Sequence, residues 1–516
     1  MNIIVLWADD EIELLKPHIL FLQNKGYDVI PVVSGEDALE EVRNRRIDII
    51  LLDENMPGLS GIETLKRIKA INNNIPVVMI TKSEEEYIME DAIGSDIADY
   101  LIKPVNPNQI LICLKKNTEH SKIISEKKSS DYQQAFREIS YKISDKLSLK
   151  EWEELYKELI YWELELENIE NETIFEIIAQ QKEEANKQFA RYIMKNYIDW
   201  LNGRGDEKPL LSHTLLKEKV FPMIGETPST FLFVIDNLRF DQWKSFQPLI
   251  HNYFYVAEEN ISYSILPTAT HYARNALFSG LLPSEIEKKY PKLWLNEQDE
   301  GNKNQFEQEL LAEYLKRYGK NIKFGFNKIL NVDFGKKVLE NFHQLLQNPF
   351  NVVIFNFIDM LSHARTDIDI IRELAEDEKS YRSVTVSWFE NSLMLDMLKI
   401  LASKKIPVFI TTDHGSIKIE KPIKVVGERD MNTNLRYKTG RNMNYNEKEV
   451  FRIKDPNDAY LPKGSITSEF IFALGNTFFA YPNNYNYYAN YYKNTFQHGG
   501  ISMEEILVPS IKLIPK

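Results

Sequence analysis

At 516 residues the chain is long enough for three or four domains of about 100–200 residues each. Its 63 basic and 76 acidic side chains leave a formal charge of −13, which excludes the basic face that sequence-independent DNA binding uses. A lone cysteine, Cys113, excludes an internal disulfide; with no apolar run near ~18 residues and no leader pattern, the expectation is a cytoplasmic protein without a membrane span.

Residues 1–120 alternate apolar runs with helical patterns. Runs at 2–8, 29–33, 47–52, 75–81 and 100–102 read as strands, and segments near 11–24, 35–44, 60–70, 84–94 and 107–118 as amphipathic helices. Strands separated by helices predict a doubly wound α/β domain. Its polar residues gather at strand ends: Asp9 and Asp10 after the first, Asp53 after the third, Thr81 after the fourth, Lys103 after the fifth. Acids crowded at one sheet edge repel unless a hard cation such as Mg²⁺ joins them. Thr81 and Lys103 are suited to phosphoryl oxygens, and Asp53 to taking up a phosphoryl group as an aspartyl-phosphate.

Residues 121–212 change character. The stretch 121–131 is rich in Lys, Ser and Glu, a solvated connection or an exposed helix. Tyr132, Phe136, Ile139, Ile143 and Leu147 then make one helical stripe. Ser148 and Glu151 have the spacing of a capping box, and Leu149, Trp152, Tyr156 and Leu159 continue a second stripe. A third helix is predicted over 172–201, closed by Gly203 and Gly205. Three such helices suggest a small bundle without chemistry of its own, placed to transmit the state of the first domain to the last.

From 213 onward, three apolar runs end in acids. Thr230 runs to Asp236, Asn351 to Asp359, and Pro407 to Thr412 with Asp413 and His414 behind it. Open parallel sheets bind ligands outside the carboxyl ends of their strands, so these acids converge. Buried carboxylates there need a positive partner. His363 stands four positions after Asp359, on one side of a turn, and His498 sits in a glycine loop. Six mixed nitrogen and oxygen ligands suit two Zn²⁺ ions, or Mn²⁺. Thr270 reads as the cap of a helix over 271–280. A hydroxyl beside two dications loses its proton readily, and a helix amino end welcomes phosphate. Arg274, one turn on, is either a phosphate contact or a packing arginine. The segment 417–495 is too long for a simple connection and is expected to fold over the site as a lid. Within it Arg436, Lys438 and Arg441, with Tyr481, Tyr485, Tyr487, Tyr488, Tyr491 and Tyr492, fit either a nucleotide-bearing ligand or an ordinary surface hairpin.

ADDE at 8–11, LLDENMPGLSG at 51–61, ITKS at 80–83 and DYLIKP at 99–104 resemble the response-regulator receiver domain. That resemblance implies Asp53 as phosphoacceptor. It also implies Mg²⁺ on Asp10 and Asp53 with help from Asp9 and the Asn55 carbonyl, and switch roles for Thr81, Lys103 and Tyr100. Lys103-Pro104 is a candidate cis peptide. VIDNLRFDQW at 234–243, PTATHYARNALFSG at 267–280, NFIDMLSHAR at 356–365, ITTDHGS at 410–416 and FQHGGIS at 496–502 resemble the PglZ branch of the alkaline phosphatase superfamily. That implies Thr270 as nucleophile, one zinc on Asp236, Asp413 and His414, and the other on Asp359, His363 and His498.

The whole order is a receiver over 1–120, a helical linker over 121–212 and a PglZ domain over 213–516. It is similar to the PorX-type response regulators. This resemblance implies a sensor histidine kinase as phosphodonor and a zinc-dependent phosphodiesterase output, expected to act on cyclic or linear oligonucleotides. It further implies a homodimer on phosphorylation and contact with a sigma factor or the type IX secretion machinery. The alternative, from another class, is a phosphorylation-controlled protein-binding regulator whose metals only hold the fold. No helix-turn-helix pattern supports sequence-specific DNA binding.

Overall fold

The computed structural model describes residues 3–72, 75–82, 97–167, 172–375, 377–428, 431–465 and 467–516. The chain divides into two compact units, Met1–Tyr132 and Gln133–Lys516.

In the first unit, β1 (Ile3–Ala8), β2 (Tyr27–Val32), β3 (Ile49–Asp53), β4 (Val77–Thr81) and β5 (Asp99–Ile102) form a parallel sheet in the order β2-β1-β3-β4-β5. Every residue of β3 and β4 is buried, as strands covered on both faces require. The helices α1 (Lys16–Asn24), α2 (Gly35–Asn44) and α3 (Gly61–Ile71) fall in the intervals between strands. Ser34 and Ser60 cap α2 and α3, each hydroxyl accepting from the backbone N–H three residues on. The strand order reverses between β1 and β3, so Asp9, just after β1, and Asp53, the last residue of β3, flank one crevice at the carboxyl ends of the strands. The predicted helix over 84–94 lies outside the described residues. Lys103-Pro104 is cis.

The three linker helices are His120–Ser144, Leu149–Leu166 and Glu172–Leu201. Residues 121–131 are helical, continuous with the apolar stripe after them, because nothing in that Lys/Ser/Glu stretch breaks a helix. The Ser148 and Glu151 capping box forms as its spacing requires. The helices do not make a free-standing bundle. Trp152, Tyr156, Phe189 and Tyr197 belong to one core with Phe231, Phe240 and Tyr263 of the C-terminal domain. Their aromatics pack on one another, as Trp152 on Phe189, and on that domain, as Tyr156 on Phe240 and Trp200 on Tyr263.

The C-terminal domain is built on a six-stranded sheet. Its strands are β6 (Thr230–Ile235), β7 (Phe254–Tyr263), β8 (Phe324–Ile329), β9 (Phe350–Phe355), β10 (Val408–Thr411) and the last strand, Leu507–Pro515. The spatial order is β7, last strand, β10, β6, β9, β8; β10, β6, β9 and β8 run parallel, and the last strand is antiparallel to both neighbours. β6, β9 and β10 are wholly buried and end on one side.

Three expectations are corrected by the fold. The run read as a strand reaching Asp359 stops at Phe355, and Asp359 stands in the first turn of the helix Phe357–Asp367. The wholly buried run ends at Phe355, and the pattern beyond Asn356 is helical. Thr270 is not a cap. The helix is Thr270–Ser279, Ala269 precedes it, and no side chain caps its amino end, so the threonine hydroxyl is left for other partners. The tyrosine cluster is not a hairpin: all of it but Tyr481 lies on the helix Tyr485–Tyr492, whose Tyr487–Tyr491 and Tyr488–Tyr492 rings stack at 6.0 and 6.2 Å. Elsewhere in 417–495 the described residues include a three-stranded sheet (Tyr437–Gly440, Glu469–Ala473, Val450–Ile453) and Lys421–Lys424 pairing with Thr477–Ala480. Among the described residues, no helix is long and apolar enough to cross a membrane.

Candidate functional site

In the first unit, Asp9, Asp10 and Asp53 each present a ligand atom within 4.8 Å of the others. Lys103 Nζ stands 2.7 Å from Asp9 Oδ2 and 3.0 Å from Asp53 Oδ2. Burial pushes the Asp53 carboxyl up, against the pull of Lys103. Asp53 Oδ1 is buried with no hydrogen-bond partner. A crowded, partly unanswered acid cluster fits a hard cation with oxygen ligands. Thr81 is buried at the end of β4, Tyr100 is half-buried in β5, and Asn55 and Asp10 are exposed at the crevice edge.

In the second unit the sheet gathers six dispersed side chains into two groups. Asp236, Asp413 and His414, all buried, form one, and Asp359, His363 and His498 the other, with ligand atoms in each within 4.8 Å. The groups abut, since the His414 and His498 rings stack with centroids 4.1 Å apart. Asp359 Oδ1 lies 3.6 Å from His363 Nε2 and 3.7 Å from His498 Nε2, too far for hydrogen bonds. Asp359 Oδ1 and Asp413 Oδ2 are buried without a hydrogen-bond partner, the guanidinium of Arg274 standing 3.8 Å from the latter.

Burial dominates the titration of this site. It raises Asp236 to about 6, with Arg274 pulling the other way and Asp413 adding to the rise. It raises Asp413 and lifts Asp359 well above the ordinary range. It lowers His414 to about 4 and takes His498 well below its usual value, His414 and His363 adding repulsion. Neutral imidazoles are the metal-binding form, and carboxyls this costly to ionise are answered by a cation. The donor set, nitrogen and oxygen with unsatisfied oxygens facing inward, fits two borderline cations such as Zn²⁺.

Thr270 Oγ1 lies 3.0 Å from His414 Nε2 and 3.5 Å from Asp236 Oδ1. The hydroxyl is therefore aimed at the first group from the amino end of its helix. Asn304 Nδ2 donates to the Thr270 carbonyl at 2.9 Å and fixes that turn. Gly415 admits the close approach next to His414, since a Cβ there would stand 2.1 Å from the Glu504 carbonyl oxygen.

The predicted basic contacts sort differently. Arg274 is buried, ion-paired with Asp236 and bonded through Nε to Glu307 Oε1 at 2.7 Å, with Lys328 on the other Glu307 oxygen at 2.6 Å. Of the two options for Arg274, packing against the ligand set describes this geometry. Arg436 is corrected: it is fully buried and donates from Nε and Nη2 to Glu505 at 3.1 and 2.6 Å, so its charge is already answered. Lys438 is buried, donating to the Asn432 carbonyl at 2.8 Å over the Tyr481 ring, and burial lowers its pKa to about 8. Arg441 is half-buried and pairs with Glu428 at 2.9 Å.

Sequence reasoning missed Glu307 and Glu505, buried acids that hold Arg274 and Arg436. It also missed Asn237, which takes a left-handed φ of 65° just after β6. The Asn237 N–H points to Asp413 Oδ1 at 3.5 Å and its Nδ2 donates to Ser362 Oγ at 3.3 Å, joining the two groups. The one signal available for Asn237 was the residue type, since asparagine tolerates that backbone region.

Residues 215–513 match the BREX system PglZ alkaline phosphatase-like domain. Residues 122–201 match the PorX response regulator linker domain, and residues 5–115 the response regulator receiver domain. The chain is 38% identical over 123 residues to the transcriptional regulatory protein ZraR of Escherichia coli O157:H7, covering 24% of this chain and 28% of that one. It is 33% identical over 125 residues to the alkaline phosphatase synthesis transcriptional regulatory protein PhoP of Bacillus subtilis (strain 168), covering 24% and 51%. The chain thus spans from about a quarter to a half of the length of the curated relatives it matches. The chemotaxis protein CheY4 of Vibrio cholerae aligns at 28% identity with a TM-score of 0.22, over 23% of this chain and 99% of that one.

Proposed function

The chain belongs to the PglZ alkaline phosphatase-like family, as a response regulator whose receiver precedes a PorX-type linker, and from that premise we propose that its output is a two-zinc phosphodiesterase. The observation that carries this reading is one threonine hydroxyl, at a helix amino end, directed at two abutting acid and imidazole groups.

Asp236, Asp413 and His414 would hold one zinc, and Asp359, His363 and His498 the other. When bound, the pair supplies Lewis-acid stabilisation of charge on the attacking and leaving oxygens. Thr270 Oγ attacks phosphorus in line. Its bond to phosphorus forms as the bond to the leaving oxygen breaks; the hydroxyl gives its proton up to solvent and the leaving oxygen takes one from solvent. Water then splits the phospho-threonine and restores the hydroxyl. Thr270 opens its helix, and a helix amino end favours the negative charge of a phosphoryl group. Arg274 holds Asp236 from behind and does not reach for substrate.

The substrate class we propose is a cyclic or linear oligonucleotide, supported by the aromatic rings of the 417–495 segment, where Tyr487 and Tyr488 are exposed. Control runs from a sensor histidine kinase, the partner a receiver domain implies, through Asp53 and Mg²⁺. Homodimerisation on phosphorylation, a sigma-factor or secretion-machinery contact and a role in type IX secretion belong to the same proposal, and rest on the match to the PorX linker. Metal analysis with hydrolysis of a chromogenic diester and monoester, for wild type and Thr270→Val, tests it. Two zinc ions per chain, with diester turnover that the substitution abolishes, support the reading. Zinc-free protein, or monoester turnover with no activity on any nucleotide diester, overturns it.

A further inference from the structure

The short helix Met503–Ile506 stands between the third linker helix and both imidazole-bearing loops. On its inner side, the Glu505 carbonyl accepts from the Gly415 N–H at 3.2 Å, next to His414. Glu505 Oε1 accepts from the Gly500 N–H at 2.8 Å, two residues after His498. One four-residue helix thus fixes the backbone behind an imidazole of each group. On its outer side it is held by Asn186 of the helix Glu172–Leu201. The Asn186 carboxamide is buried, its Oδ1 accepting from the Met503 N–H at 2.8 Å and its Nδ2 donating to Glu504 Oε2 at 3.0 Å. A carboxamide is the group that both bonds ask for, one acceptor and one donor in a plane. The same linker helix meets the site a second time, where Tyr197 Oη accepts from the Leu266 N–H at 2.7 Å, ahead of Thr270.

We propose that Asn186 is a positioning residue of the zinc site: by seating the Met503–Ile506 helix it sets the backbone under His414 and His498, so the seat of the linker governs how well the two groups hold their cations. The linker is then part of the site, and a shift of its third helix displaces one ligand of each group together. The zinc half of this statement rests on the phosphodiesterase reading, whereas the backbone half does not.

The full-length chain is compared as wild type, Asn186→Asp and the reciprocal pair Asn186→Asp with Glu504→Gln. The single substitution Asn186→Asp keeps the acceptor for the Met503 N–H but sets two carboxylates against each other. Adding Glu504→Gln restores the bond with donor and acceptor exchanged. Two readouts are taken: amide hydrogen exchange of peptides holding Gly415 and Gly500 in metal-free protein, and zinc affinity by chelator competition. Asn186→Asp is expected to speed exchange in both peptides and to weaken zinc binding about tenfold, the lower end for a residue supporting metal ligands. The reciprocal pair should recover most of both. Should Asn186→Asp not fold, Asn186→Ala, which removes both the acceptor for the Met503 N–H and the donor to Glu504, is read by the same two measurements. Exchange at Gly415 and Gly500 unchanged in the folded variant, or no recovery in the reciprocal pair, overturns the proposal. A wild type that binds no zinc, with exchange behaving as expected, overturns the zinc reading and leaves the positioning role supported.

Discussion

Replacing Arg436 by methionine separates a structural arginine from a substrate contact. The guanidinium is fully buried, bonded twice to Glu505 and once to the Thr477 carbonyl. Methionine fills much of the same space but leaves Glu505 buried with the Gly500 N–H and the Ser502 hydroxyl as its remaining donors. Removing one side of a buried ion pair costs about 3–5 kcal/mol, and two surviving donors set the expectation near about 3. With a urea m-value of about 3 kcal/mol per molar, the midpoint for the Gln133–Lys516 unit falls by about 1 M. Adding Glu505→Gln removes the stranded charge and should return more than half of the loss. The assay is urea unfolding monitored by tryptophan fluorescence, with hydrolysis measured alongside. A midpoint within about 0.2 M of wild type, together with a raised KM, would refute the structural assignment and restore Arg436 as a ligand contact.

Thr270→Val should lower hydrolysis by at least about a thousandfold while zinc content is unchanged, read by metal analysis beside a diester assay. Asp53→Asn should abolish phosphoryl uptake from a small phosphodonor, scored by phosphate-affinity gel, whereas Thr81→Ala should not. Zinc held at about a hundred times its dissociation constant should stabilise the C-terminal unit over chelated protein by about 2.7 kcal/mol for each of the two sites, about 5.4 kcal/mol together; equal urea midpoints would deny a site that binds the folded state. For Glu163, burial works to raise the carboxyl, but Lys182 and Arg382 overcome it and hold it at about 2 against an ordinary 4.5. A depressed carboxyl contributes stability fully above the unfolded pKa and loses it as pH falls. The stability gap between wild type and Glu163→Gln should therefore hold above pH 4.5 and narrow toward pH 2; a gap that widens on acidification contradicts the pairing.

Much was legible along the chain because its signals are local. Apolar β-branched runs stopped at Asp53, Asp236 and Asp413, and strands buried on both faces deliver the residues at their carboxyl ends to one sheet edge. His363 could be placed beside Asp359 because a helical turn joins positions four apart, even though the turn begins earlier than the run of residues suggested. The Asn186 bond to Met503 crosses 317 residues, and no period or spacing announces it. Nor did spacing show that Arg436 was already answered by Glu505, 69 residues away, or that Thr270 leaves its own helix uncapped.

The sequence by itself determined which residue types carry the chemistry and at which strand or helix end each one stands, because backbone preference and hydrophobic period act over a few residues. Which charges are spent on each other, and that the linker shares its core with the C-terminal domain, were decided by tertiary packing alone. Burial makes an unanswered charge or an uncovered aromatic stripe costly, and the partner that relieves it is chosen by where the chain returns in space.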